Sequence, residues 1–224
     1  LVGGAGKTVR AYVESGNTLC GPFVGKVMAS ALAMGESNAC MKRIVAAPTA
    51  GACGVLPAVL VNYQKENGTA DDEIVRALYT AAGIGQVVAA RAYIAGASGG
   101  CQAEIGTASA MAAGALTALG GGTPSQITHA AAMALKNLLG LVCDPVGGLV
   151  EVPCVKRNVI GSVNALSAAD MALAGIISRI PPDQVIDAMR EVGDQMHPSL
   201  RETGQGGLAN TPAAREWCAA QEEE

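Results

Sequence analysis

Three of the seven cysteines stand where a thiolate could do chemistry. Cys101 lies in SGGCQAEIG, Cys143 in LVCDPVGG and Cys154 in EVPCVKRN, each at a turn or element boundary marked by Gly or Pro. Loops of this kind free backbone N–H groups to bond to sulfur, and such bonds tune a metal cluster. The stretch CDPVGGLVEVPCVKRN, residues 143–158, carries two of these thiols and then Lys156, Arg157 and Asn158. On spacing alone a disulfide, half of a zinc site, part of an iron–sulfur site and unrelated free thiols all stay open. Zinc ordinarily takes a fourth Cys or His at short spacing. His129 and His197 are the two histidines, and neither is near a Cys in sequence. Three thiolates without an obvious fourth suit a [4Fe–4S] cluster with one open iron. An open iron would act as a Lewis acid, binding a substrate hydroxyl and making it a leaving group in a β-elimination.

Other polar groups could serve such a reaction. Lys156, with Arg157 and Asn158, could hold the carboxylate of an anionic substrate through charge-assisted bonds, and Lys156 is the candidate for proton transfer. The same residues could equally form a solvated loop. Thr49 and the amides near Gly51 could cradle a carboxylate at a helix start, or form a tight turn. Cys20, Cys40 and Cys53 lie among small residues, where a free thiol behaves as a small buried hydrophobe. LVGGAGKT at the start imitates a phosphate-binding loop, but the position that needs Gly is Leu1. LLGLVCD, residues 138–144, imitates the strand and Asp that would hold magnesium, and Pro145 argues against it.

The elements that must position these groups read as helices. Half of the 224 residues are hydrophobic, 15% are charged and 3% are aromatic, with 29 glycines. The apolar content is therefore Ala, Val, Leu, Ile and Met, small enough to let helices approach closely. Asp71, Asp72 and Glu73 put negative charge at the positive end of a helix. Ile74, Val75, Leu78, Ala81, Ala82, Gly85, Val88, Ala89 and Ala92 then repeat at helical spacing. A small-residue helix is expected over about 102–119. Thr123, Pro124 and Gln126 read as N-cap, first position and capping box of a helix to about Leu139. Residues 158–180 read as a buried helix ended by Pro181 and Pro182, and 182–197 as an amphipathic one. Shorter helices are expected over 9–13, 24–33 and 55–66, with a last short helix and a solvated QEEE tail. No alternation of strands with helices is visible. One all-α domain over 1–224, with buried small-residue helices around an iron–sulfur site, is the economical reading.

Composition also excludes partners. A net charge of −4 leaves no basic stripe for nucleic acid. Gly120 to Gly122 split the uncharged run 105–135 into segments too short for a membrane helix. Scattered cysteines without a signal peptide fit a reducing, cytoplasmic setting. So few surface charges suggest a face covered by a partner or a second copy. Leu1 is not an initiator Met, so the chain is expected to lack its natural N-terminal part.

Four blocks carry a resemblance: APTAGACGVLP (47–57), GASGGCQAEIGTASAMAA (96–113), KNLLGLVCDPVGGLVEVPCVKRN (136–158) and RETGQGGLANTP (201–212). Together they resemble the α chain, or catalytic domain, of bacterial iron–sulfur-dependent L-serine dehydratase. The match includes the forty-one residues between Cys101 and Cys143 and the ten between Cys143 and Cys154. The resemblance implies an all-helical catalytic domain and a [4Fe–4S] cluster held by Cys101, Cys143 and Cys154. It implies conversion of L-serine to pyruvate and ammonia through aminoacrylate, without pyridoxal phosphate. A desulfidase acting on L-cysteine by the same chemistry, or a non-catalytic metal-binding subunit, are the alternatives. Family members carry more sequence before this stretch and a β domain or β chain, which implies a homo- or hetero-oligomer. Some end in a cysteine that reaches the open iron; here Cys218 is followed by six residues.

Overall fold

The computed structural model describes residues 2–222, leaving out the side chain of Glu222. Most of the expected QEEE tail lies outside the described side chains. Among the described residues there are ten α-helices and no strand. They are α1 (Ala5–Glu14), α2 (Gly21–Ala39), α3 (Val55–Asn67), α4 (Asp71–Arg91) and α5 (Gly96–Gly99). Then come α6 (Thr107–Leu119), α7 (Pro124–Lys136), α8 (Cys154–Leu173), α9 (Pro182–Gln195) and α10 (Pro212–Glu222). A π-helical turn, Gln102–Gly106, joins α5 to α6.

Helix α6 is the centre. It packs on α3, α4, α7 and α8, and every residue from Thr107 to Thr117 is buried. Its Ala, Gly and Ser side chains explain this, since only small residues let four helices close on one. Ser109 on α6 donates to the Gly161 carbonyl of α8 at 2.8 Å, and Asn164 of α8 donates back to Ser109 at 2.9 Å. The Ser109 hydroxyl and the Asn164 amide are thereby partnered, which removes most of the cost of burying them. Helix α2 covers α8 on one side, and α9 covers α7 on the other.

Several ends follow from local chemistry. Thr123 Oγ1 accepts from Gln126 N, and Gln126 Oε1 accepts from Thr123 N at 2.9 Å, so the expected capping box starts α7. Several expected boundaries differ: α1 and α2 extend beyond the expected 9–13 and 24–33 at both ends. Helix α8 begins four residues earlier than the spacing suggests, at Cys154, and stops at Leu173 rather than near 180. Gly175 takes φ 90°, and Ile176 N–H reaches the Met171 carbonyl at 2.9 Å. That is a glycine C-cap, and it ends the helix before the prolines can. The helix expected over 102–119 opens with the π turn. No helix among the described residues is long and apolar enough to cross a membrane.

Candidate metal and substrate site

The three cysteines singled out by their surroundings come from separate segments and are brought together. Cys101 sits between α5 and the π turn, Cys143 in the loop after α7, and Cys154 at the first position of α8. All three are buried and unpaired as disulfides. Burial pushes Cys101 up to about 12, with the charge of Arg157 opposing and those of Glu104 and Cys154 adding. Burial pushes Cys143 upward too, and Cys101, Glu104, Glu202 and Cys154 reinforce the shift. Cys154 rises to about 11, again chiefly through burial. Cys154 acts on both Cys101 and Cys143, Cys101 acts on Cys143, and Glu104 acts on all three, which places them in one region.

The loops are fixed there by long-range bonds. Arg157, one turn into α8, donates to the Val142 carbonyl at 2.6 Å and to Asp144 Oδ1 at 2.8 Å. Its guanidinium also faces the Cys101 sulfur. Asp144 is 3% exposed, and its second oxygen accepts from Leu208 N at 2.8 Å. Cys143 N donates to the Leu200 carbonyl at 2.8 Å, and Glu202 N to the Cys143 carbonyl at 2.7 Å. The segment 200–208 is thus tied across the Cys143 loop from both sides. Gln102 ties in Cys101: its amide donates to the Met189 carbonyl at 3.1 Å and accepts from Gly140 N at 2.9 Å. Gly100 has φ 77°, and a Cβ there would stand 2.9 Å from the Leu141 carbonyl oxygen, so glycine alone fits.

Glycine backbone lies directly against the Cys143 sulfur and the neighbouring carboxylate. A Cβ at Gly96 would stand 2.8 Å from Cys143 Sγ and 3.2 Å from Glu104 Oε2. A Cβ at Gly51 would stand 3.0 Å from the same Glu104 oxygen. Two glycine backbones therefore pack against the Glu104 carboxylate, next to Cys143, with no side chain between. Glu104 is half-buried in the π turn. Burial raises its pKa; the Thr49 hydroxyl and the Gly96 N–H oppose this, and the charge of Glu202 adds to it. Thr49 Oγ1 is itself buried beside this carboxylate, outside good hydrogen-bond geometry with any partner.

Three buried thiols from separate segments suit the donor set of a cluster. No three His, Cys, Asp or Glu among the described residues close tightly enough to hold one metal ion. Tetrahedral zinc would need its sulfurs about 3.8 Å apart for Zn–S bonds of about 2.3 Å. Cluster thiolates stand farther apart, because each binds its own iron. The histidines play no part in the thiols' surroundings. His197 accepts from Ser199 N at 3.2 Å as the cap of a short turn, and His129 sits on α7.

The other sequence candidates fall in different places. Asn158 is 1% exposed and its amide is fully engaged. It accepts from Gly54 N at 2.9 Å and donates to the carbonyls of Gly51 at 2.9 Å and Cys154 at 3.0 Å. It positions the 51–54 loop against Cys154 and has no amide group left over for a substrate carboxylate. Lys156 is exposed, and two residues of helix turn it about 200° from Cys154. Arg157, its neighbour, is the inward cation. Thr49 does reach the site. Cys20 and Cys40 are exposed at the two ends of α2, not buried as their small neighbours suggest; Cys53 is buried, with Met34 O 3.8 Å from its sulfur. Cys218 leans on the Cys143–Cys154 loop, 3.5 Å from where a Gly147 Cβ would be. The phosphate-loop imitation is occupied internally: Glu36 accepts from Ala5 N at 2.6 Å at the start of α1. The magnesium imitation ends in Asp144, which is bound to Arg157.

Glu104 is the residue that sequence reading missed. A signal was present: it is the last charge before the uncharged run 105–135, three positions after Cys101. An isolated carboxylate at the edge of an apolar helix, beside a candidate ligand, calls for an explanation.

The family model for the serine dehydratase alpha chain matches residues 1–209. A probable L-serine dehydratase alpha chain of Bacillus subtilis is 55% identical over 216 residues, covering 96% of this chain and 72% of its own. The L-serine dehydratase alpha chain of Peptoniphilus asaccharolyticus is 49% identical, over 94% of this chain and 72% of its own. The L-serine dehydratase of Haemophilus influenzae is 49% identical, over 80% of this chain but only 40% of its own. Similar sequence thus occurs both in proteins named alpha chains and as part of a longer polypeptide. With an all-helical fold and three buried thiols at the positions the motifs mark, the chain belongs to the serine dehydratase alpha chain family.

Proposed function

We propose that residues 1–224 form the catalytic α unit of an L-serine ammonia-lyase, working with a β chain or β domain. It would hold a [4Fe–4S] cluster on Cys101, Cys143 and Cys154. The observation that carries the reading is the convergence of three buried thiols, from three segments, beside the Glu104 carboxylate, with Gly96 packed against the Cys143 sulfur. When bound, the cluster supplies a Lewis-acidic iron to which the β-hydroxyl of the substrate can be lost.

The chain's own residues do the rest. Arg157 places positive charge beside Cys101, which favours thiolate over thiol and opposes the effect of burial. Its bonds to Val142 and Asp144 set the position of the Cys143 loop. Asn158 sets the Thr49–Gly54 loop at the required distance from Cys154. The N–H groups of Ala50 and Gly51 take no part in that loop's own backbone bonds. With Thr49 Oγ1 they offer donors for the substrate carboxylate. Burial of the thiols and of α6 keeps bulk water from the reacting carbon. L-serine loses its α-proton and β-hydroxyl, leaving aminoacrylate; tautomerisation to the imine and addition of water release pyruvate and ammonia.

Anaerobic reconstitution with iron and sulfide, followed by a pyruvate assay with L-serine, tests the reading. About four irons per chain and pyruvate formation that fades in air are expected. A full cluster with no pyruvate in the presence of the β partner would instead favour a non-catalytic metal-binding subunit.

A further inference from the structure

We propose that Glu104 binds the α-ammonium group of the substrate, with Glu202 adding negative potential from the rim; this rests on the lyase reading above. Glu104 is half-buried, and none of the ion pairs among the described residues includes it. A carboxylate held away from water without a counter-charge is costly, so its persistence calls for a partner. Among the described residues no cation pairs with it. Arg157 is committed to Asp144 and Val142. Glu202 contributes charge of the same sign, and the thiols contribute more once they are thiolates. The missing positive charge must come with the ligand.

The surroundings fit a zwitterion. Gly51 and Gly96 present backbone alone to Glu104: a Cβ on either would stand 3.0 or 3.2 Å from Oε2. Beside it, Thr49 Oγ1 is buried and unpartnered. An α-amino acid carries its ammonium and carboxylate on adjacent positions of one carbon. The ammonium can face Glu104 while the carboxylate takes Thr49 and the Ala50 and Gly51 amides. The β-carbon then points along the Gly96 side, toward Cys143. A hydroxy acid would leave Glu104 unpaired, so the same contact selects amino acids.

The test uses the reconstituted α chain assembled with its β partner. L-serine and 3-hydroxypropanoate, which lacks the ammonium, are compared in wild type, Glu104→Gln and Glu202→Gln. Binding is read by calorimetry and by the cluster's visible absorbance, and turnover by pyruvate. Losing one charge-assisted contact should raise the KM and dissociation constant for L-serine about tenfold or more in Glu104→Gln. Glu202→Gln, altered only at an exposed position, should raise them a few-fold. The kcat should change far less, iron content should hold, and binding of 3-hydroxypropanoate should not weaken. An unchanged KM in both variants overturns the proposal. So does a collapse of kcat at constant KM, which would make Glu104 a proton acceptor, or loss of iron in Glu104→Gln, which would make it part of the cluster's support. Failure of the lyase reading is seen separately, as wild type that neither binds nor turns over L-serine.

Discussion

Helix α6 and the loop that carries Cys143 lie side by side and are held by opposite means. From Thr107 to Thr117, α6 is buried on all sides among Ala, Gly and Ser, and its stability comes from four neighbouring helices. Residues 140–153 contain a short 3-10 turn, Val146–Gly148, and an isolated bridge from Cys143 to Arg201. They are held by single bonds to distant residues: Arg157 to Val142 and Asp144, Leu200 and Glu202 to Cys143, Leu208 to Asp144. The first region distributes its free energy over many small contacts, so no one side chain is decisive. The second concentrates it in a buried ion pair and a few backbone bonds. A molecule that must keep three thiols apart but aligned has reason to use the second arrangement, because packing alone does not fix a loop.

The comparison breaks most sharply at the thiols themselves. Cys101→Ser, Cys143→Ser and Cys154→Ser should each abolish the stable four-iron cluster and the lyase activity, with helix content unchanged. Thiolate is the preferred partner of cluster iron, and a serine alkoxide is harder and scarce at neutral pH. Cys40→Ser and Cys53→Ser should keep the cluster, since one is exposed and the other is buried near the Met34 carbonyl. Iron and sulfide counts decide it. A full cluster in any of the first three would refute the ligand assignment.

The next largest effect tests whether the loop depends on single bonds. Asp144 and Arg157 have side chains 4% and 10% exposed and are 2.8 Å apart. Removing one partner strands a buried charge, at a cost of about 3–5 kcal/mol. Asp144→Asn and Arg157→Met should therefore lose most of their cluster on reconstitution while far-UV circular dichroism stays helical. If both load iron normally, the pair does not govern the loop.

Gly161→Ala probes the helical half. A Cβ there would stand 2.8 Å from Ile105 Cγ2 and 3.1 Å from Val55 Cγ2. Overpacking of a tight core costs about 1–3 kcal/mol. The gain from replacing a mid-helix glycine is about 1 kcal/mol. A net loss of about 1 kcal/mol in urea unfolding is expected, with iron content retained. A stabilised variant would show that α8 shifts freely against the π turn.

The same division explains what the sequence made legible. Periodic small residues located α4 within a residue, and TPSQ located the start of α7, because those signals are local. The cysteines with Gly or Pro beside them separated Cys101, Cys143 and Cys154 from the rest. Long-range bonds left no such trace. Lys156 and Arg157 are adjacent and alike in sequence, and only the helix phase set by Cys154 sends one outward and the other in. Asn158 looks like a substrate ligand until Gly51 and Gly54, over a hundred residues away, are seen to occupy it. Cys20 and Cys40 were expected inside for their small neighbours, yet both sit at the exposed ends of α2. Glu104 gained its significance from Gly51 and Gly96, which sequence alone does not place against it.

The smallest effect sharpens the comparison from the helical side. Thr123→Ala removes one leg of the capping box at the start of α7. Cap substitutions of this kind cost about 1 kcal/mol. Here the loss should lie at the low end of that range. Thr123 is exposed, and its hydroxyl accepts from Gln126 N at a long 3.3 Å. Gln126 keeps its other contacts: its amide donates to the Ala172 carbonyl at 3.0 Å, at the end of α8. Gln126→Ala removes both the return bond to Thr123 N and this link between two helices, so it should cost more than Thr123→Ala. Urea midpoints of the two variants, at unchanged slope, measure the difference. Equal losses would mean that the link to α8 contributes nothing, and that the cap acts on α7 alone.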